Sequence, residues 1–274
     1  MEIYTQLELE LHQKIQKLAY DSALVVKSQL CEGMTEIEAA DLLDEVLQKK
    51  GVRNFFHTSF VWFGDRTSFN NFQTYFDFQP TKRKLEKGMC VILDTAPALE
   101  GRACDIGYTF SYGENSEVEK AIQDLEVFRN VILQRILSEK TLGEIYIEID
   151  SIIREMGYKN CHRMYPAEVL GHKIGRLPFL QIPPIKVFGF HAQTFLYLLG
   201  ETIEAFGFGN HSVVPYWNSF SNHRAGVGLW AVEPHIGKGN IGVKWEEILV
   251  VTDSSAYWLD EDLPHVNGWK IKRG

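Results

Sequence analysis

Two apolar runs in this chain each end on a carboxylate, and each is followed by a second carboxylate one hairpin away. Gly88-Met89-Cys90-Val91-Ile92-Leu93-Asp94 is followed by Asp105, 11 residues on. Gly226-Val227-Gly228-Leu229-Trp230-Ala231-Val232-Glu233 is followed by Glu246, 13 residues on. In an antiparallel hairpin, residues equidistant from the turn lie opposite each other and share a face. The midpoint of Asp94 and Asp105 falls between Leu99 and Glu100, beside Gly101, and that of Glu233 and Glu246 between Gly239 and Asn240. Each hairpin is therefore expected to hold two acids side by side. Two such hairpins about a pseudo-twofold would gather four carboxylates in an apolar frame. Burying them without cations is costly, so divalent metal is the expected partner.

A helix pattern recurs in step with the hairpins. Thr35-Glu36-Ile37-Glu38 and Thr141-Leu142-Gly143-Glu144 both read as capping boxes. Apolar residues follow at helical spacing: Ile37, Leu43, Val46 and Leu47 in the first, Ile145, Ile149, Ile152 and Met156 in the second. Gly51 and Gly157 close them, each 16 residues after its threonine. Each half reads helix, strand, then a hairpin with two acids. The pseudo-repeats are placed at about 30–115 and 136–259 of a single domain spanning 1–274.

His172 lies in Leu170-Gly171-His172-Lys173-Ile174-Gly175-Arg176, where the glycines allow close backbone approach. A lone histidine is more often a structural hydrogen-bonder, so it counts only together with the acids. Four carboxylates and one imidazole suit Mn, Fe, Co or Zn, and bridging carboxylates suit two such ions.

Composition narrows the partners. The net charge of −8 argues against a basic nucleic-acid or membrane surface. No apolar run approaches the roughly 20 residues of a membrane helix. Glu2, Glu8 and Glu10 do not read as a signal peptide, and Cys31, Cys90, Cys104 and Cys161 form no C-x-x-C pair. Free thiols in a reducing cytoplasm are expected. The sequon at Asn210-His211-Ser212 is taken as chance. The glycine runs around Phe208 and Lys238 lack phosphate-loop spacing.

From about Leu9 to Leu259 the chain resembles the pita-bread metallopeptidases: methionine aminopeptidase, proline aminopeptidase, prolidase and creatinase. The segments that carry the resemblance are CEGMTEIEAA, VWFGDRTSF, KGMCVILDTAPALEGRACDIGYTF, GHKIGR and WAVEPHIGKGNIGVKWEEILVVT. The resemblance implies an α+β pita-bread fold, two αβ halves with a curved antiparallel sheet and outer helices. It implies a metal set of Asp94, Asp105, His172, Glu233 and Glu246, two divalent ions, and Glu233 assisting as a base. No counterpart of the separate N-terminal domain of proline aminopeptidases is expected.

The chain also departs from that pattern. The family usually carries a second histidine seven residues after the metal histidine, where this chain has Phe179. It usually has another about 17 residues before the first aspartate, where this chain reads Phe76-Asp77-Phe78. A lost oxyanion donor typically removes about 2.7–4 kcal/mol of transition-state stabilisation. These departures weigh against ordinary peptidase activity. Thr35 to Asp94 spans 59 residues and Thr141 to Glu233 spans 92, a surplus of 33. It is placed at about 180–225, an aromatic- and histidine-rich insertion read as a lid or pocket wall, or else as an oligomer interface or added helical hairpin. His223 is a candidate catalytic residue, and Phe179 and Trp62 are candidate substrate contacts. His235, two residues after Glu233, faces either the site or solvent.

Three functions stay open. The first is a dinuclear hydrolase acting on a small substrate with a free amino or imino end. The second is a metal-dependent non-peptidase enzyme, for example with di-iron oxygen-activating chemistry on a small amine or amino acid. The third is a non-enzymatic binding module, which tight transition-metal binding would exclude. The expected partner is a small molecule or short peptide, with no nucleic acid and no membrane, and a homodimer is allowed.

Overall fold

The computed structural model describes residues 4–178, 186–187, 189–207 and 214–273. Its helices are α1 (Gln6–Gln29), α2 (Glu36–Lys49), α3 (Ser116–Asp124), α4 (Glu126–Leu137), α5 (Leu142–Glu155), α6 (Ala192–Gly207) and α7 (Pro264–Arg273). The strands of the first half are β1 (Asn54–Phe63), β2 (Cys90–Leu99), β3 (Arg102–Ala103) and β4 (Ile106–Ser111). Then come β5 (Lys159–Asn160), β6 (Gly171–Ile174), β7 (Lys186–Val187), β8 (Phe190–His191) and β9 (Tyr216–Trp217). The last are β10 (Gly228–Val232), β11 (His235–Lys238), β12 (Ile241–Val251) and β13 (Ala256–Trp258).

The two capping boxes form as the sequence predicts. Thr35 and Thr141 each accept from the backbone N–H three residues on, and Glu38 and Glu144 accept in return. The inward face of α2 is Ala39, Ala40, Leu43 and Leu47, all buried. Ile37 was expected on that face but is exposed. It lies two positions before Ala39, a rotation that turns it towards solvent.

The sheet is antiparallel throughout its central run, in the order β7-β8-β1-β2-β4-β12-β10-β6-β9. It curls until its two wings meet. Phe56 on β1 stacks on His172 on β6 with ring centroids 5.1 Å apart, and the N–H of Ala103 donates to the carbonyl of Gly175.

One face of the curl is backed by α1. Its apolar residues Ile15, Ala19, Ala23 and Val26 are fully buried. A polar row runs beside them at one-turn intervals. The His12 ring donates to the Ala103 carbonyl at 2.9 Å, Gln16 accepts from the Ile248 N–H at 2.8 Å, and the Tyr20 hydroxyl donates to the Glu246 carbonyl at 2.6 Å. Helix α1 therefore fixes the strand backbone directly behind Asp105 and Glu246.

Glu36 does the equivalent work for the loops after β1. Its buried carboxylate accepts from the Phe63 N–H, the Arg66 guanidinium, and the N–H and hydroxyl of Thr81. Replacing it strands Arg66 and two backbone donors. Glu36→Ala is expected to lower unfolding stability by about 3–5 kcal/mol in a urea titration, and a loss under about 1 kcal/mol would show the network is dispensable.

Candidate metal centre

The second hairpin has the register expected from its midpoint. His235 lies opposite Lys244 and Val232 opposite Glu247, with Gly239–Asn240 at the turn, so Glu233 sits opposite Glu246. The first hairpin differs. Leu99 pairs with Arg102 and Asp94 pairs with Gly107, which puts the turn at Glu100–Gly101. Asp105 therefore lies two residues away from the position facing Asp94. A two-residue offset keeps side chains on the same face, so the four acids still converge.

β4 joins the hairpins through Glu246 opposite Gly107. One row across the curl thus reads Asp94, Gly107, Glu246, Glu233. A second row holds Asp105 and His172, which is placed by pairing with Ala231. Gly171 permits this: a Cβ there would stand 2.4 Å from the Ala231 carbonyl oxygen. The glycine beside His172 thus serves the approach of two strands.

All five expected ligands come together, joined by two residues the sequence reading missed. His57 on β1 places Nε2 at 3.1 and 3.2 Å from the Asp105 oxygens and 3.5 Å from Asp94 Oδ1. His172 places Nε2 at 3.4 Å from Asp105 Oδ2 and 3.9 Å from Glu246 Oε1. Each ring donates Nδ1–H to the carbonyl of the following residue, Thr58 for His57 and Lys173 for His172. That fixes Nε2 towards the acids, as a metal-ligating imidazole requires.

The second missed residue is Lys244, fully enclosed. Its Nζ donates to Asp94 Oδ2 at 2.6 Å, Glu233 Oε2 at 2.8 Å and Glu246 Oε2 at 2.9 Å. Lys244 was readable, because it lies two residues before Glu246 and strand alternation gives both the same face. His57 was hidden in the apolar run Phe55-Phe56-His57, with no acid nearby in sequence.

Charge in the cluster is unevenly balanced. Burial works against the Lys244 ammonium, but Asp94, Glu233 and Glu246 outweigh it and hold it charged well above the usual range. Burial likewise opposes His57, yet Asp105 and then Asp94 raise it to about 9. Burial would raise Asp105, but His57 and His172 hold it below the usual carboxylate range. Glu246 goes the other way: burial, then Asp105 and Glu233, push it well up. Its Oε1 is buried with no hydrogen-bond partner among the described residues. A bare buried carboxylate oxygen 3.9 Å from the aimed His172 Nε2 fits a cation. The ligand atoms of His57, Asp94 and Asp105, and those of Asp105, His172 and Glu246, form two groups whose members lie within 4.8 Å of one another.

The acids floor a cavity of about 620 Å³. Phe56, Phe60 and Trp62 of β1 form one wall, with Tyr75, Phe78 and Tyr165 beside them, and Phe190, Thr194, Phe195 and Leu198 close the other. Trp62 spends its indole N–H on the Phe78 carbonyl at 2.9 Å and presents its ring to the cavity. Within the described part of the aromatic-rich segment, Val187, Phe190, residues of α6 and Tyr216 line the cavity, whereas Trp217 is buried in the core and Phe220 is exposed. Phe179 lies outside the described residues. His223 is not brought to the cavity. Its ring donates to the Arg224 carbonyl and its own carbonyl accepts from Leu142 at the start of α5. His235 is buried away from solvent, bonded to the Thr67 carbonyl and the Tyr165 hydroxyl.

Residues 10–253 match the model of metallopeptidase family M24. Over 169 residues the chain is 26% identical to the "Putative dipeptidase YkvY" of Bacillus subtilis (strain 168), covering 61% of this chain and 44% of that protein. Among solved structures, the X-Pro aminopeptidase of Thermotoga maritima MSB8 superposes with a TM-score of 0.66 at 20% identity, over 95% of this chain and 62% of that one. The prolidase of Pyrococcus furiosus gives 0.65 at 18%, over 94% and 64%. The methionine aminopeptidase of Rickettsia prowazekii gives 0.60 at 15%, over 94% and 99%. The curled sheet with outer helices is the expected pita-bread fold. The chain spans less than half of the curated relative and under two thirds of the aminopeptidase and prolidase from Thermotoga and Pyrococcus.

His57→Ala is expected to weaken Mn(II) binding by about 10–100-fold in calorimetric titration, whereas His223→Ala leaves it unchanged. The reverse pattern would mean the wrong histidine has been placed at the centre.

Proposed function

Because the chain belongs to metallopeptidase family M24, we propose that it is a metal-dependent hydrolase acting on a small substrate with a free amino or imino end. The observation that carries this is the convergence of four buried carboxylates and two imidazoles on the floor of one aromatic-walled cavity. The family is dinuclear and metal-dependent, and this chain has the acids and histidines to hold metal. Asp94, Asp105, His172, Glu233 and Glu246 are the proposed ligands, with His57 joining them.

A divalent cation bound there supplies Lewis acidity, polarising a carbonyl oxygen and acidifying water. The chain's own groups do the rest. Glu233, raised above the usual carboxylate range by burial, would accept a proton from the attacking water and deliver it to the leaving nitrogen. The net negative floor attracts a cationic amino or imino end. Phe56, Phe60 and Trp62 exclude water and hold an apolar side chain or ring. The cavity volume of about 620 Å³ suits a dipeptide-sized molecule. Four free cysteines, three of them buried, support a cytoplasmic setting, and among the described residues no helix is long and apolar enough to cross a membrane.

One observation favours a second reading. Each of the two candidate ligand groups holds one imidazole and two carboxylates, with Asp105 shared between them, a donor set also used by di-iron carboxylate proteins. Substrate-dependent oxygen uptake by anaerobically Fe(II)-loaded protein, tested on small amines and amino acids, would select it.

For the hydrolase, Mn(II)-loaded protein is expected to cleave at least one member of a panel of dipeptides, Xaa-Pro peptides and small amides. Glu233→Gln should lower kcat on that substrate by about 10²–10⁴-fold. A panel left intact with metal bound would sink the hydrolytic reading.

A further inference from the structure

We propose that Lys244 stands permanently in the place of one metal ion, so that this chain binds a single divalent cation, anchored on Asp105. The inference rests on the metal-dependent reading above and changes its stoichiometry.

The geometry of Lys244 is that of a built-in cation. An ammonium has three N–H donors, and all three are used, one on each of Asp94, Glu233 and Glu246, at 2.6–2.9 Å. The side chain is closed in by the Tyr165 ring, whose centroid is 5.0 Å from Nζ. The stem is accommodated by Gly107, the one position in the carboxylate row without a side chain. A Cβ on Gly107 would stand 2.5 Å from Lys244 Cε and 3.0 Å from Cδ. The lysine and the glycine therefore fit as a pair. Because Lys244 is on the same strand and face as Glu246, its ammonium cannot leave the row without dragging its stem out of that groove.

What Lys244 leaves free defines the remaining site. It takes one oxygen from each of three acids. Asp105 alone keeps both oxygens clear of the ammonium, and both imidazoles aim Nε2 at it. Glu246 Oε1 is bare, 3.9 Å from His172 Nε2. Both groups of candidate ligand atoms share Asp105, and each otherwise draws on an acid that Lys244 already bonds, Asp94 in one and Glu246 in the other. A second divalent ion would have to share Asp94 or Glu246 with an ammonium already bonded to it. Even with all four carboxylates ionised and both imidazoles neutral, one ammonium and two divalent ions would leave a buried excess of positive charge, whereas a single ion would not.

The test is metal stoichiometry, by calorimetric titration with Mn(II) and Co(II) and by metal analysis after dialysis. Wild type is expected to hold one ion per chain. Lys244→Met, which vacates the ammonium position, should hold two, the second bound at least about 10-fold tighter than any second binding event in wild type. Gly107→Ala pushes on the lysine stem and should shift the second event the same way. If Lys244→Met does not fold, wild type and Gly107→Ala still decide. Two ions of comparable affinity in wild type would overturn this inference and leave the hydrolase reading standing. One ion in all three proteins would overturn the role of Lys244, and no ion in any would overturn both readings.

Discussion

Four carboxylates cannot share a buried floor without cations, and the way this chain supplies them governs the rest of its structure. Lys244 answers three of the four acids with one ammonium. Its reach depends on the alignment of Asp94, Gly107, Glu246 and Glu233 across adjacent positions of the curled sheet. A slip of one residue in either hairpin would send an acid to the opposite face and leave the ammonium short of partners. The electrostatic demand of the floor and the register of the sheet are thus one constraint.

The surrounding elements serve that constraint from behind and from above. Behind, α1 bonds the backbone at Ala103, Glu246 and Ile248 through His12, Tyr20 and Gln16, so the strands that carry Asp105 and Glu246 are held by side-chain hydrogen bonds as well as by packing. Above, β8 adds to the free edge of β1 with Phe190 opposite His57, and α6 follows to wall the cavity. The Thr194 hydroxyl donates to the Phe56 carbonyl, which ties that wall to the strand bearing His57. An apolar wall over a charged floor strengthens every interaction at the floor by keeping the local dielectric low.

Much of this was legible in the sequence because it follows short-period rules. Capping boxes at Thr35 and Thr141 announce their helices, and hairpin symmetry places Glu233 opposite Glu246. For Asp94 and Asp105 the same arithmetic gave the right face with the wrong partner, because the turn residues lie one position later than the midpoint suggests. His57 escaped because its partners come from β2 and from the segment between β3 and β4, and nothing local marks an imidazole in Phe55-Phe56-His57 as polar-facing. Lys244 escaped for another reason: strand parity put it on the ligand face, but a lysine beside metal-binding acids reads as a surface charge unless the empty space over Gly107 is known. His223 was drawn in by its neighbourhood in sequence, and it packs instead at the start of α5.

The most direct measurement is a crystal structure of the Mn(II)-loaded protein with anomalous data collected to locate the ion. The account predicts one anomalous peak within bonding distance of Asp105 and one of the two imidazoles, with Lys244 Nζ still seated among Asp94, Glu233 and Glu246. Two peaks with the Lys244 side chain displaced from the row, or no peak at all with metal present in solution, would contradict it.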